Sequence, residues 1–187
     1  MNKKVAICIA DGCEEIEALT VVDLLRRAGI EIHMVSISNQ KSVTGSHGIV
    51  FETDKNALDL NGSIDTYDGV ILPGGMPGTH HLRESSFVLN TVSKFAKEGK
   101  LVAAICAAPS VLAYAGVLRG KKATSFPGME NEMKGVDYRQ DEVVVDGNII
   151  TSRGMGTAIP FGLQIIAYLI DDATAEKMGN TIVYRSC

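Results

Sequence analysis

Leu101-Val102-Ala103-Ala104-Ile105-Cys106-Ala107-Ala108-Pro109 runs from five apolar residues through a cysteine into two alanines and a proline, with no polar break. A short continuous apolar run is what a parallel strand covered on both faces requires. Small residues beside Cys106 permit a sharp turn straight into a helix, and Pro109 suits the first turn of that helix, where its missing N–H costs nothing. The spacing predicts a strand over 101–105 and a helix over 107–115, closed by Gly116 in the left-handed cap position.

The same alternation extends in both directions. Upstream, Val5–Ala10 reads as a buried strand, 14–28 as a helix closed by Gly29, and Ile30–Ile37 as the next strand. Val43–Glu52, with Gly45 and Gly48, reads as a short extended excursion or hairpin. Gly69–Leu72 is a further strand, stopped by Pro73-Gly74-Gly75, and a helix follows over Ser86–Lys97, ended by Gly99. Downstream, strands are expected over Lys122–Ser125, Val143–Val145 and Ile149–Thr151, then a final long helix over Thr157–Ile170. Strands alternating with helices predict a mainly parallel sheet with helices on both faces. No repeat, low-complexity stretch or linker divides the chain, so residues 1–187 are expected to form one domain. The 14–28 helix is apolar on more than one stripe (Ile16, Leu19, Val21, Val22, Leu24, Leu25), leaving surface for other helices or for a second subunit.

Composition narrows the class of function. The 187 residues are 45% hydrophobic and 21% charged with net charge -4, ordinary for a globular chain and wrong for a nucleic-acid or anionic-membrane binder. The apolar run after Met1 is too short for a signal-peptide core, and no run approaches membrane-spanning length. Four irregularly spaced cysteines, with no C-x-x-C and no zinc-type Cys/His spacing, indicate reduced thiols in the cytoplasm.

In an open α/β sheet, ligands bind beyond the carboxyl ends of the strands. Three segments fall there: Asp11–Glu17, Leu72–Gly78 and Ala104–Pro109. At a helix N-terminus Cys106 would be favoured as thiolate, the reactive form; the alternative is a small buried apolar residue. Gly74 and Gly75 can bring backbone N–H groups close to a developing anion, and with the N–H of Ala107 would form an oxyanion hole. Pro-Gly-Gly also suits any tight turn. Glu14, Glu15 and Glu17 sit where a helix N-terminus stabilises negative charge in any case. Buried beside a thiolate, such a carboxyl would have a raised pKa and could donate a hydrogen bond to sulfur. His33 reads as a structural or edge residue, and the adjacent pair His80-His81 points two ways, a poor metal site. No metal and no cofactor are expected. Ser152–Gly156 resembles a phosphate-gripping loop but lacks the Walker pattern.

Four blocks, Gly12-Cys13-Glu14-Glu15-Ile16-Glu17, Leu72-Pro73-Gly74-Gly75, Ala103–Pro109 and Thr151-Ser152-Arg153-Gly154-Met155-Gly156-Thr157, resemble the ThiJ/PfpI superfamily, in particular its DJ-one branch, in order and spacing. The resemblance implies a flavodoxin-like three-layer α/β sandwich and a homodimer. It also implies a nucleophilic, oxidation-sensitive cysteine at Cys106 with a protonated carboxyl at Glu17, and Gly74, Gly75 and Ala107 offering backbone N–H groups. It carries three expectations of function: cofactor-free glyoxalase or deglycase chemistry on methylglyoxal-type carbonyls, redox sensing or chaperoning, and, more remotely, peptidase or amidase activity. Ala107 replaces the histidine of protease-like relatives, and Phe126 stands where a relative carries histidine, which removes the obvious imidazole base. His47, in Ser46-His47-Gly48, is a candidate to approach the site, within the chain or across a dimer interface. Cys13, as resolving thiol or turn residue, and Arg153 complete the candidate pocket.

Overall fold

The computed structural model describes residues 3–60 and 62–184. A seven-stranded sheet contains β1 (Lys4–Ile9), β2 (Glu31–Ser36), β5 (Lys55–Asn56), β6 (Gly69–Leu72), β7 (Leu101–Ile105), β10 (Val143–Asp146) and β11 (Ile149–Ser152) in the order β10-β11-β7-β6-β1-β2-β5. All neighbours are parallel except β10 and β11, which pair antiparallel across a tight turn. Val43–Glu52 forms the expected hairpin, with β3 (Ser42–Thr44) antiparallel to β4 (Val50–Glu52).

The continuous apolar strands are explained by burial on both faces. Along β1, Val5, Ile7 and Ile9 enter one core, and Ala6 and Cys8 enter the other. β7 divides likewise: Leu101, Ala103 and Ile105 on one side, Val102 and Ala104 on the other. The first face is covered by α1 (Glu15–Arg27), α5 (Ala158–Leu169) and α6 (Asp172–Thr181); the second by α2 (Gly78–Glu84), α3 (Ser86–Glu98) and α4 (Pro109–Tyr114). This is the flavodoxin-like three-layer α/β sandwich, with a mainly parallel central sheet.

Several boundaries move for local reasons. The helix expected from Ala107 starts at Pro109, because residues 105–111 first make a tight turn of i→i+3 bonds, Ala108 N–H to Ile105 O at 3.1 Å and Ser110 N–H to Ala107 O at 3.1 Å. The Lys122–Ser125 strand shrinks to β8 (Lys122–Ala123), paired with β9 (Asp137–Tyr138) in a sheet of its own. The helix expected at the end gives way after Leu169, and α6 follows, capped by the Asp171 carboxylate accepting from Thr174 N–H at 2.7 Å. α6 escapes the pattern because it buries only Ala175, Met178 and Gly179 and is otherwise polar. Of the stripes on α1, Val21, Val22, Leu24 and Leu25 are buried within the chain, whereas Ile16 is exposed and Leu19 half-buried. Among the described residues no helix is long and apolar enough to cross a membrane. Cys187 lies outside them.

Candidate active site

Chain direction fixes where the site forms. From β1 the chain moves one way to β2 and β5, then returns to build β6, β7 and β11 on the other side. The carboxyl ends of β1, β6 and β7 therefore meet at the switch point, where neighbouring connections diverge and leave a crevice. The three segments singled out in the sequence meet there. Glu14 N–H donates to Gly74 O at 2.9 Å, Ser46 N–H to Cys13 O at 2.8 Å, and Phe126 N–H to Cys106 O at 2.7 Å. The first two bonds tie three loops together on one side of the crevice, and the third ties two segments on the other.

Cys106 takes φ +64°, a left-handed conformation that costs a non-glycine residue about 1–3 kcal/mol and persists only where surroundings enforce it. Its N–H donates to Ser152 O at 3.0 Å and its carbonyl accepts from Phe126, so the strained turn is pinned on both sides. The sulfur projects into a cleft of about 590 Å³ lined by Glu14, Glu17, Ser46, His47, Gly75, Met76, Ala107, Phe126, Met129 and Met155. The backbone N–H groups of Gly75 and Ala107 are hydrogen-bonded to it.

Gly74 does a different job. Its N–H donates to Glu17 Oε2 at 3.0 Å, and a Cβ there would lie 2.5 Å from Cys106 Cβ and 2.6 Å from Glu17 Oε2. Only glycine allows the carboxyl and the cysteine to approach from opposite sides. Gly75, at φ +90°, is the turn residue that aims its own N–H at the sulfur.

Glu17 is 1% exposed. Burial pushes its pKa up to about 7, opposed by hydrogen bonds to Cys106 and from Gly74 N–H, and assisted by the charge of Glu14. Burial likewise pushes the Cys106 thiol up to about 12, reinforced by the charge of Glu17 and its hydrogen bond, and opposed by the N–H groups of Gly75 and Ala107. The helix terminus expected to activate the sulfur is a short one starting three residues later. The local balance is instead set by two backbone N–H groups and one carboxyl. Two acids in contact, both resisting ionisation, titrate as a pair: one proton is released near pH 7 and the second is held.

The second acidic group has another role. Glu15, 2% exposed, accepts from His47 N–H at 2.8 Å and Ile49 N–H at 3.4 Å, and meets His47 Nδ1 at 3.0 Å. Burial pushes its carboxyl up, but its own N–H and these groups outweigh burial and hold it down at about 2. It staples the β3–β4 turn to α1. His47 is in the cleft from within its own chain; its pKa is raised, by its hydrogen bond to Glu15 first and the charge of Glu14 next. Glu14, Glu15 and His47 place ligand-type atoms within 4.8 Å of one another, a cluster the sequence reading did not foresee. The contacts of the imidazole Nδ1 with both carboxyl groups, at 3.2 Å and 3.0 Å, account for it without an ion.

The remaining candidates divide. Phe126 stands 49% exposed on the cleft wall. Cys13 is fully buried in the core with Ile7 and Ile9 and does not line the cleft, its thiol pushed up to about 12 by burial. Arg153 turns away: its guanidinium donates to Gln140 O at 2.9 Å, and Met155 of the same segment lines the cleft instead. His80 contacts Arg83, His81 Nδ1 meets Asp11 O at 2.9 Å, and His33 Nδ1 meets Tyr67 Oη at 2.7 Å. None of these three lines the cleft. Met76, Met129 and Met155 carried no sequence signal, since isolated methionines read as core.

An open α/β sheet whose switch point holds a cysteine at positive φ, with a carboxyl on its sulfur, defines the class of flavodoxin-like proteins organised around an elbow cysteine. Within that class the chain belongs to the DJ-1/PfpI family, whose sequence profile matches residues 3–168. It is 40% identical over 185 residues to protein dj-1beta of Drosophila melanogaster, covering 98% of each chain. It is 37% identical over 155 residues to a Pyrococcus abyssi protein named a deglycase, covering 82% of this chain and 91% of that one. The solved structure of oxidized Toxoplasma gondii DJ-1 superposes with a TM-score of 0.94 at 34% identity, covering 98% of this chain and 100% of the other.

Proposed function

We propose that this chain is a cofactor-independent enzyme, glyoxalase III-like or deglycase-like, acting on methylglyoxal-type 2-oxoaldehydes through Cys106. The observation that carries the reading is the geometry of the Cys106–Glu17 pair: a cysteine at a strained elbow, with a buried carboxyl closing on it across Gly74 and two backbone N–H donors beside the sulfur. The family relative named a deglycase supports it.

In this reading the thiolate of Cys106 adds to the aldehyde carbon, forming a C–S bond, and the oxyanion is met by the N–H groups of Gly75 and Ala107. The Glu17 acid gives its proton to that oxygen. As carboxylate it then removes the proton from the former aldehyde carbon and returns it to the neighbouring carbon, while the hydroxyl proton passes to the neighbouring oxygen. The resulting thioester is cleaved by water, releasing lactate and the free thiol, so that methylglyoxal plus water equals lactate. Glu17 thus replaces the imidazole that Phe126 rules out. The working unit is a homodimer of single-domain subunits in the cytoplasm; Ile16, exposed on α1, and Leu19, half-buried there, support that assembly. Lactate formation by wild type and its absence in Cys106→Ser test the enzyme reading; equal rates would end it.

A second reading uses the same pair as a redox sensor. Two successive peroxide molecules would oxidise the sulfur to a sulfinate, each releasing water, and the Glu17 acid would hydrogen-bond the product. A relative solved in an oxidized form favours this. A gain of two oxygens confined to Cys106, without lactate production, would select it. The peptidase or amidase reading has no support from His47: the groups that act on the Cys106 sulfur are Glu17, Gly75 and Ala107, and no hydrogen bond joins an imidazole to it among the described residues.

A further inference from the structure

The cleft is far larger than methylglyoxal needs. It measures about 590 Å³, within the usual range for binding a ligand of drug-like size. Its lining combines two kinds of group. Beside the reacting atoms and the polar groups Glu14, Glu17, Ser46 and His47 it carries four apolar side chains, Met76, Phe126, Met129 and Met155. Phe126, Met76 and Met155 are 49%, 47% and 57% exposed, an arrangement that leaves apolar surface in water unless something covers it. Methionine adapts its shape to irregular apolar groups and makes favourable sulfur–ring contacts. The charge of the lining is one-sided. No lysine or arginine lines the cleft among the described residues, and its one basic group, His47, is held between Glu14 and Glu15.

We propose that the Met76–Phe126–Met129–Met155 wall is a side-chain subsite, and that the preferred substrates are 2-oxoaldehydes carrying an uncharged aromatic or branched apolar group, in preference to methylglyoxal or any anionic analogue. The inference rests on the carbonyl chemistry of Cys106 described above and names the substrate class for it. Burial of a ring against this wall is the source of the preference. A carboxylate or phosphate on the same arm would find carboxylates near the sulfur and, among the described residues, no lysine or arginine in the lining.

Two measurements on the full chain separate the subsite from the chemistry. The first is the rate of Cys106 alkylation by N-phenyliodoacetamide, iodoacetamide and iodoacetate, each divided by its rate with glutathione and located by peptide mass. The subsite predicts that the phenyl reagent exceeds iodoacetamide about tenfold and that iodoacetate falls below it. Met155→Glu should erase the phenyl advantage, with circular dichroism confirming the fold. Equal normalised rates, or an iodoacetate advantage, overturn the subsite whatever the enzyme does. The second is kcat/KM for phenylglyoxal against methylglyoxal, expected to favour phenylglyoxal about tenfold; a ratio of one or less overturns the proposed substrate class. Absence of turnover with both, alongside a retained alkylation preference, would sink the carbonyl chemistry and the substrate class with it, leaving only the apolar subsite.

Discussion

Glu17 and Cys106 are hydrogen-bonded to each other across Gly74, with no room between them for a single methyl group. Each is raised by burial, and each has backbone N–H donors: Gly74 for the carboxyl, Gly75 and Ala107 for the sulfur. The pair therefore behaves as one diprotic acid, and its proton count governs what the sulfur can do.

The first consequence is a pH profile. Below the first step both groups are protonated and the thiol is unreactive. Between about 7 and about 12 one proton remains, held mainly on sulfur, with the reactive carboxylic acid–thiolate form as a constant minor fraction. Alkylation of Cys106 by iodoacetamide should rise through a single step centred near pH 7 and then level off. A rise centred above 9, where ordinary thiols ionise, would show that the two groups titrate independently.

Glu17→Gln separates nucleophilicity from proton transfer. Glutamine retains an oxygen for the Gly74 N–H, but it can neither release nor recover a proton. General acid–base groups contribute roughly 10²–10⁴ in rate, so lactate formation should fall at least about 100-fold, while iodoacetamide still labels Cys106. Retention of turnover within a factor of about three would remove Glu17 from the proposed chemistry.

The same substitution should stabilise the protein, with a definite sign in pH. The Glu17 pKa rises from 4.5 to about 7 on folding, so between those values the folded chain keeps a proton the unfolded chain has lost. Stability accordingly falls as pH climbs through that window. At about 1.4 kcal/mol per unit the full penalty is on the order of 3 kcal/mol above pH 7. Urea unfolding of Glu17→Gln should give about 1–3 kcal/mol more stability than wild type at pH 8, and no gain near pH 4. A gain independent of pH would trace the effect to packing instead.

How much of this was legible follows from which forces act locally. β1, β6 and β7 were clear because strands buried on both faces must be apolar at every position, and nothing nearby competes with that signal. Cys106 and Gly74-Gly75 were clear because turns this tight tolerate few residue types. Glu17 differed: in sequence it is one of three acidic residues at a helix start, and only the Gly74 close approach distinguishes it from Glu15. The positions of Arg153 and Cys13 were set by rotation about a few bonds at a strand end, which no pattern encodes. α6 was hidden because a helix that covers little core has little apolar period to read. The methionine wall was invisible for a similar reason: Met76, Met129 and Met155 come from separate loops and meet only when the chain is folded.

Glu15 offers a last test, of the rim rather than the sulfur. It gathers two backbone N–H groups and the imidazole of the Ser46–Ile49 turn into one carboxylate, and that carboxylate is the leading cause of the raised His47 pKa. Glu15→Ala should therefore lower the His47 pKa, followed by proton NMR, with Glu14 still holding it above that of a free imidazole. Because the Glu15 carboxyl is depressed to about 2 from 4.5, its staple is intact above pH 4.5 and is lost as pH falls toward 2. Amide exchange at His47 and Ile49 should accelerate in the variant at pH 7, and in wild type only as the carboxyl protonates. The β3–β4 turn forms one wall of the cleft, so its release should also weaken the discrimination among alkylating reagents at Cys106. An unchanged His47 titration in Glu15→Ala would mean that Glu14 alone carries the imidazole, and that the turn is held by its own hairpin bonds.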